Sequence, residues 1–238
     1  MKFIRSFLAL AILLIFQSCN TAPELSFIEH NISTKNNTIV EINVPMASGE
    51  HEVALNINKV IGDKLIAALS QYDPEDKTSV TVEEKIEQFN SEFTRFKNEF
   101  PDSPQIWEAQ IDGEVAYKSS ELISIALTTY MNTGGAHGIT VINFINFDAV
   151  TGKEITKEAL FNDIDGFREI AKNAFNEKIK DRKDFYFNSN QFSLPENIGF
   201  SEDKLVLLYN TYEIAPYSTG ITEVHIPLSN VSSFLNYY

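Results

Sequence analysis

The sequence predicts an α+β fold, with antiparallel sheets packed with about three amphipathic helices. Three observations point there. Three stretches repeat apolar residues at three- and four-residue spacing, while other stretches alternate with period two. The two kinds of stretch come in separate runs rather than in strict alternation, which favours antiparallel sheet over a parallel layout. At 43% hydrophobic residues, with 18 Phe and 9 Tyr, the chain has material for a substantial core.

The first element is a leader. Lys2 and Arg5 precede an apolar run from Phe7 to Phe16, followed by Gln17, Ser18 and Cys19. The run falls short of the roughly 20 apolar residues of a membrane span. It fits the apolar core of a signal peptide. Small Ser18 directly before Cys19, with bulky Phe16 at the minus-three position, favours lipoprotein processing over ordinary cleavage; polar Gln17 is the departure. Residues 1–19 are therefore expected to be a lipoprotein signal peptide, with Cys19 acylated and holding the protein on the cell envelope. The outer membrane is the expected site in a cell with two membranes. Stable anchoring takes more than one acyl chain. Cys19 is the single cysteine, so the mature fold is expected to have no disulfide and no cysteine metal site.

After a short tether at 20–24, Leu25–His30 and Thr38–Val44 alternate as strands, with Asn36-Asn37 as turn residues. A helix is predicted over Glu52–Leu69, with Val53, Ile57, Val60, Ile61, Leu65, Ala68 and Leu69 on one face; Asp73-Pro74 lies in the loop that ends it. Thr81 and Glu84 form a capping-box pattern. Behind it, Ile86, Phe89, Phe93, Phe96 and Phe100 make a core-facing stripe, stopped by Pro101 and Pro104. From Gln105 the period changes to two, and Asp112-Gly113 reads as a tight hairpin turn. Glu121–Tyr130 and Ile139–Phe147 are further strands, followed by a turn at Thr151-Gly152. The third helix is expected over Gly166–Ile179, with Phe167, Ile170, Ala171, Ala174, Phe175 and Ile179 inward. Strands at Ile198–Phe200, Leu205–Tyr212 and Ile221–Ile226 complete the chain.

The formal charge is −14, and loss of Lys2 and Arg5 with the leader takes it to about −16. Such a body repels nucleic acid and attracts basic partners. The segment most suggestive of chemistry is the strand connection containing Gly134, Gly135 and His137. Its glycines permit unusual backbone angles and an anion-binding arrangement of amides. His137 is able to bind a ligand or move a proton. The plainer reading is a tight connection whose histidine packs on a neighbour. Tyr209, Tyr212 and Tyr217 gather around Pro216; they either stack on a sugar or a partner protein or form a rim of core tyrosines. Ser201 and Lys204 have an acyl-enzyme spacing but fall in an expected hairpin turn. Asp163 and Asp165 imitate a calcium loop without its closing glutamate and are better placed to cap a helix. The four histidines, His30, His51, His137 and His225, never pair at metal-ligand spacing. No cofactor is expected.

Three motifs taken together carry a family resemblance: Tyr130–Gly138 (YMNTGGAHG); Asn146–Lys153 (NFDAVTGK) with Leu160-Phe161 downstream; and Asn210–Gly220 (NTYEIAPYSTG) followed by Val224–Pro227 (VHIP). In this order they resemble the extracytoplasmic region shared by the anti-sigma factor RsiV and the non-catalytic N-terminal part of the peptidoglycan deacetylase PdaC. The resemblance implies a PdaC-type domain over 20–140 and an RsiV-type domain over 141–238, both α+β. It implies a binding module for a cell-wall-related ligand, either a glycan or a basic wall-degrading protein such as a lysozyme. The segments that carry anti-sigma and deacetylase activity in the named members have no counterpart here, and neither activity is carried over. The competing expectation is an envelope-polymer-modifying enzyme with His137 as acid/base. The candidate ligand-binding residues are Gly134, Gly135, His137, Tyr212 and Tyr217.

Overall fold

A computed structural model describes residues 25–34, 39–49, 51–70 and 81–238. The signal peptide with Cys19, the tether, the Asn36-Asn37 turn and the Asp73-Pro74 loop lie outside the described residues. The fold is α+β, with two sheets and three long helices. The elements of the first sheet and its helices are β1 (Phe27–Ser33), β2 (Ile39–Ala47), α1 (Glu52–Leu69), α2 (Val82–Glu99), β3 (Glu108–Lys118), β4 (Leu122–Asn132) and β5 (Ile139–Asp148). A second group comprises α3 (Ile164–Ile179), β6 (Asn197–Ser201), β7 (Lys204–Tyr209), β8 (Thr222–Pro227) and the single turn α4 (Leu228–Val231). The sheets run in the orders β1-β2-β3-β4-β5 and β6-β7-β8.

Local chemistry sets the helix ends. His51 caps α1 through Nδ1, which accepts from the Ala54 amide at 3.3 Å. The Thr81–Glu84 capping box is complete: Thr81 Oγ1 accepts from the Glu84 amide at 3.2 Å, and Glu84 Oε2 accepts from the Thr81 amide at 2.8 Å. Asp163 caps α3 by accepting from the Gly166 amide at 2.9 Å. Ile57, Ile61 and Leu65 of α1 then bury against Val40, Ile42 and Val44 of β2 and Ile111, Ile125 and Phe147 of the neighbouring strands. Phe167, Phe175 and Ile179 of α3 bury against Phe200, Leu205, Leu207 and Ile226. Each such side chain contributes about 1.5–3 kcal/mol on burial.

Three expectations change, and one is refined. Asp112-Gly113 is not a turn: β3 runs straight through it, and the reversal falls at 119–121. A Cβ at Gly113 would lie 2.8 Å from Leu127 Cδ2 and from Pro45 Cδ, so this glycine serves close packing rather than reversal. The sheets are largely antiparallel as predicted, with one refinement: β2 and β3 pair in parallel across the α1–α2 connection. The aromatic stripe of α2 is buried only as far as Phe93. Phe96 and Phe100 pack at a tilt with ring centroids 5.4 Å apart, with Phe100 55% exposed at the helix end, while Phe89, Phe93 and Phe96 surround Trp107. The strand predicted to reach Tyr212 stops at Tyr209, where Asn210 turns the chain.

The two sheets meet through side chains that complete strand edges. The outer edge of β6 donates from the Phe200 amide to Ser124 Oγ (3.2 Å) and accepts at the Ile198 carbonyl from Asn146 Nδ2 (2.7 Å). Gly199 between them lies beneath the Phe144 ring, where a Cβ would come within 2.0 Å of Phe144 Cγ. The outer edge of β5 is met in the same way. Asn210 donates to the Ile142 carbonyl and accepts from the Ile142 amide, both at 2.9 Å, and Asn197 Oδ1 accepts from the Phe144 amide at 3.3 Å. This leaves β4 covered on both faces, and Leu122–Leu127 are buried without a break.

Candidate functional site

The candidate site grows from the β4–β5 connection and the loop after β7. In the first, Gly134 and Gly135 adopt φ of +93° and +109°, as their glycine content led us to expect. A Cβ at Gly134 would also meet Gln105 Oε1 at 2.5 Å. The Gly134 amide donates to Asn132 Oδ1 at 3.1 Å, so it is spent on the turn and not held out for an anion. The two glycines shape the loop and bring His137 out to solvent.

In the second loop, Tyr212 stands at φ +71°, a conformation that costs a bulky residue about 1–3 kcal/mol. It is held there by its neighbours. Glu213 accepts from the Asn210 amide at 2.9 Å and from the Glu196 amide at 3.1 Å, and Asn210 is clamped to β5. Beneath the loop, Tyr209 is buried and donates to the Ser193 carbonyl at 2.8 Å. Burial, and then the nearby Glu213 carboxylate, hold its phenol well above the ordinary tyrosine range, so it remains a donor.

The two loops meet. His137 stacks on Tyr217 with ring centroids 3.8 Å apart and planes 24° apart, and Tyr212 lies 5.9 Å from Tyr217. The Gly138 carbonyl organises the pair, accepting from Tyr217 OH at 3.1 Å and lying 2.9 Å from His137 Nδ1. A carbonyl only accepts, so Nδ1 donates in this contact. A Cβ at Gly138 would lie 2.4 Å from the Tyr130 hydroxyl and 2.5 Å from the ring carbons Cε2 and Cζ. Tyr212 is 52% and Tyr217 40% exposed. The result is a solvent-facing shelf of three rings, fixed from behind by one backbone carbonyl.

Of the residues singled out in the sequence, His137, Tyr212 and Tyr217 therefore come together. Gly134 and Gly135 support them, and Tyr209 belongs to the core. The Gly138 carbonyl and the Asn210 clamp were not foreseen; Asn210 lies inside a quoted motif, but nothing in its type announces the bond. The remaining histidines are scattered: His30 lies on β1, His51 caps α1, and His225 pairs with Glu223 at 2.9 Å. Ser201 and Lys204 face each other across a two-residue turn. Among the described residues no group of three or more His, Cys, Asp or Glu is placed to hold a metal, and no helix is long and apolar enough to cross a membrane. A cleft of about 630 Å³ lies elsewhere, between the end of α1 and β5, crossed by the Lys64–Glu154 pair at 2.9 Å.

Comparison with known proteins matches two family models. One described as deacetylase PdaC covers residues 32–140, and one described as a protein of unknown function, DUF3298, covers residues 150–229. The peptidoglycan-N-acetylmuramic acid deacetylase PdaC of Bacillus subtilis (strain 168) is 22% identical over 228 residues, covering 87% of this chain. The chain spans about half of that relative's length, 46%. Crystal structures of a DUF3298 family member from Bacteroides fragilis and of another from Pseudomonas aeruginosa share the fold. Their TM-scores are 0.65 and 0.63, at 18% and 19% identity, each over 90% of this chain and over 94% and 93% of theirs. The chain is thus built as a PdaC-type N-terminal region followed by a DUF3298 region.

Proposed function

We propose that this protein is a cell-envelope lipoprotein that binds a cell-wall glycan without modifying it, with the His137–Tyr217–Tyr212 shelf as its contact surface. The observation that carries this reading is the shelf itself. Three rings from two loops are held exposed, one of them at a strained backbone position, where burial would be the cheaper arrangement. Ring faces suit the C–H faces of sugars, and the polar tips suit their hydroxyls. The similarity to a protein named for peptidoglycan chemistry supports the choice of ligand. His137 is poorly equipped for the competing acid/base role. Among the described residues its partners are a ring face and a main-chain carbonyl, and no carboxylate is paired with it.

The test is binding of the full chain in detergent to purified peptidoglycan. Tyr217→Ala is expected to weaken saturable binding by about 2 kcal/mol, as for a central aromatic anchor. Unchanged binding by a folded Tyr217→Ala protein would overturn the shelf. A signal only with an added basic protein such as a lysozyme, and none with glycan, would move the reading to the protein partner.

The anchor has its own check. Cys19→Ala is expected to abolish labelling by a fatty-acid analogue and to release the protein from the membrane fraction. Retention with no label in the wild type would refute acylation.

A further inference from the structure

We infer that the pocket beside Glu213 is a binding site for a small organic cation, an alkylammonium group held between aromatic rings and one carboxylate. The inference stands apart from the ring shelf and does not use it. The pocket measures about 240 Å³, below the usual range for a drug-sized ligand, so it suits a single head group. Five aromatic side chains line it: Phe175 from α3, Tyr186, Phe187 and Phe192 from the connection to β6, and Tyr209 from the end of β7. Glu213 supplies the single charged group among the lining residues; the others are serines, side-chain amides and one isoleucine.

The rings do not close on one another as a stack would. Phe175 meets Tyr186 edge-on at 76°, and meets Phe192 and Tyr209 at tilts of 51° and 54°. Phe175 and Tyr209 are buried and form the floor. Phe187 is different, being 59% exposed. Its amide donates to the Ile214 carbonyl at 3.0 Å, which ties this aromatic wall to the residue after Glu213.

The Glu213 carboxylate is fixed without being neutralised. Its two oxygens accept from the main-chain amides of Glu196 and Asn210, at 3.1 and 2.9 Å, and among the described residues no Lys, Arg or His is paired with it. Its field reaches the floor, where it adds to burial in keeping the Tyr209 phenol protonated. Ring faces carry negative potential and attract cations, as the carboxylate does. An anion is repelled by both, and by a chain of net charge −14. Core packing accounts for Phe175 and Tyr209. It does not account for a phenylalanine ring held in water beside an unneutralised carboxylate.

The experiment is calorimetric titration of the full chain, in a detergent without a choline head group, with choline and with 3,3-dimethylbutan-1-ol. The two probes share a shape and differ in charge. Choline is expected to bind about tenfold more tightly, the scale of a desolvated cation–π contact. Phe187→Leu keeps an apolar wall and removes the ring, at an exposed position that folding tolerates. It is expected to weaken choline about fourfold and to leave the alcohol's affinity unchanged. Equal affinities for the two probes in the wild type would overturn the inference, and so would no binding of choline. A choline preference undiminished in Phe187→Leu would place the cation elsewhere on the acidic surface and overturn it too. Glycerophosphocholine distinguishes the sources of the group. Binding as tight as choline's would assign it to a lipid head group and weaker binding to a free cation, and either supports the site.

Discussion

Gly199→Val is expected to destabilise the fold by about 3 kcal/mol, at the upper end of the usual cost of overpacking. The reason is local. Gly199 sits in the middle of β6, fully buried, with a would-be Cβ 2.0 Å from Phe144 Cγ and 2.1 Å from its Cδ1. The backbone on either side cannot retreat. The Ile198 carbonyl is bound by Asn146 and the Phe200 amide by Ser124, so β6 is pinned to the first sheet at both neighbours. Phe144 is fixed at its main chain, where its amide is held by Asn197, so relief would have to come from turning the ring alone. Urea denaturation measures the loss. The same valine in a Phe144→Ala background should cost much less, with a coupling of about 0.5–3 kcal/mol between two residues in contact. A wild-type midpoint for Gly199→Val alone would contradict this account of how the sheets join.

The second large effect concerns Asn210. Its amide group makes two bonds to one residue, standing in for a missing neighbour strand at Ile142. Asn210→Ala removes both and strands an N–H and a C=O, which should cost about 2–3 kcal/mol. Asn210→Asp is expected to fare no better. It keeps an acceptor for the Ile142 amide but turns a second oxygen toward the Ile142 carbonyl, where only a donor fits. Thermal melts of the two variants give the comparison. The loop that carries Tyr212 and Tyr217 should loosen with it, so sugar affinity should fall in parallel with stability. Wild-type stability in Asn210→Ala would mean that the clamp contributes little.

Much of the fold was legible because its signals are local. The period of α1 placed Glu52–Leu69 at the observed residues, and the reciprocal bonds of Thr81 and Glu84 need only three residues of sequence. The Ser201–Lys204 reversal is equally short-range. What failed depends on neighbours that sequence does not name. Asp112-Gly113 has turn chemistry, yet its glycine is there because Leu127, Pro45 and Val44 approach from other elements. Alternation announces a strand but not its partner, so the parallel pairing of β2 with β3 was invisible.

The candidate site divides in the same way. His137, Tyr212 and Tyr217 stood out as residue types, and positive φ at Gly134 and Gly135 followed from composition. Their meeting did not, because it joins positions 79 residues apart through the Gly138 carbonyl, and main-chain oxygens have no sequence signature.

The amide groups along the outer edge of β5 have a consequence for the protein in company. An unpaired strand edge is a template on which another chain can extend a sheet, and crowding raises the rate at which it is found. Here Asn210 and Asn197 occupy the backbone groups of Ile142 and Phe144 that an incoming strand would need. The opposite edge, β1, presents polar Glu29, His30 and Asn31 beside an exposed Ile28. An acidic chain with the β5 margin of its larger sheet closed offers copies of itself fewer places at which to extend that sheet.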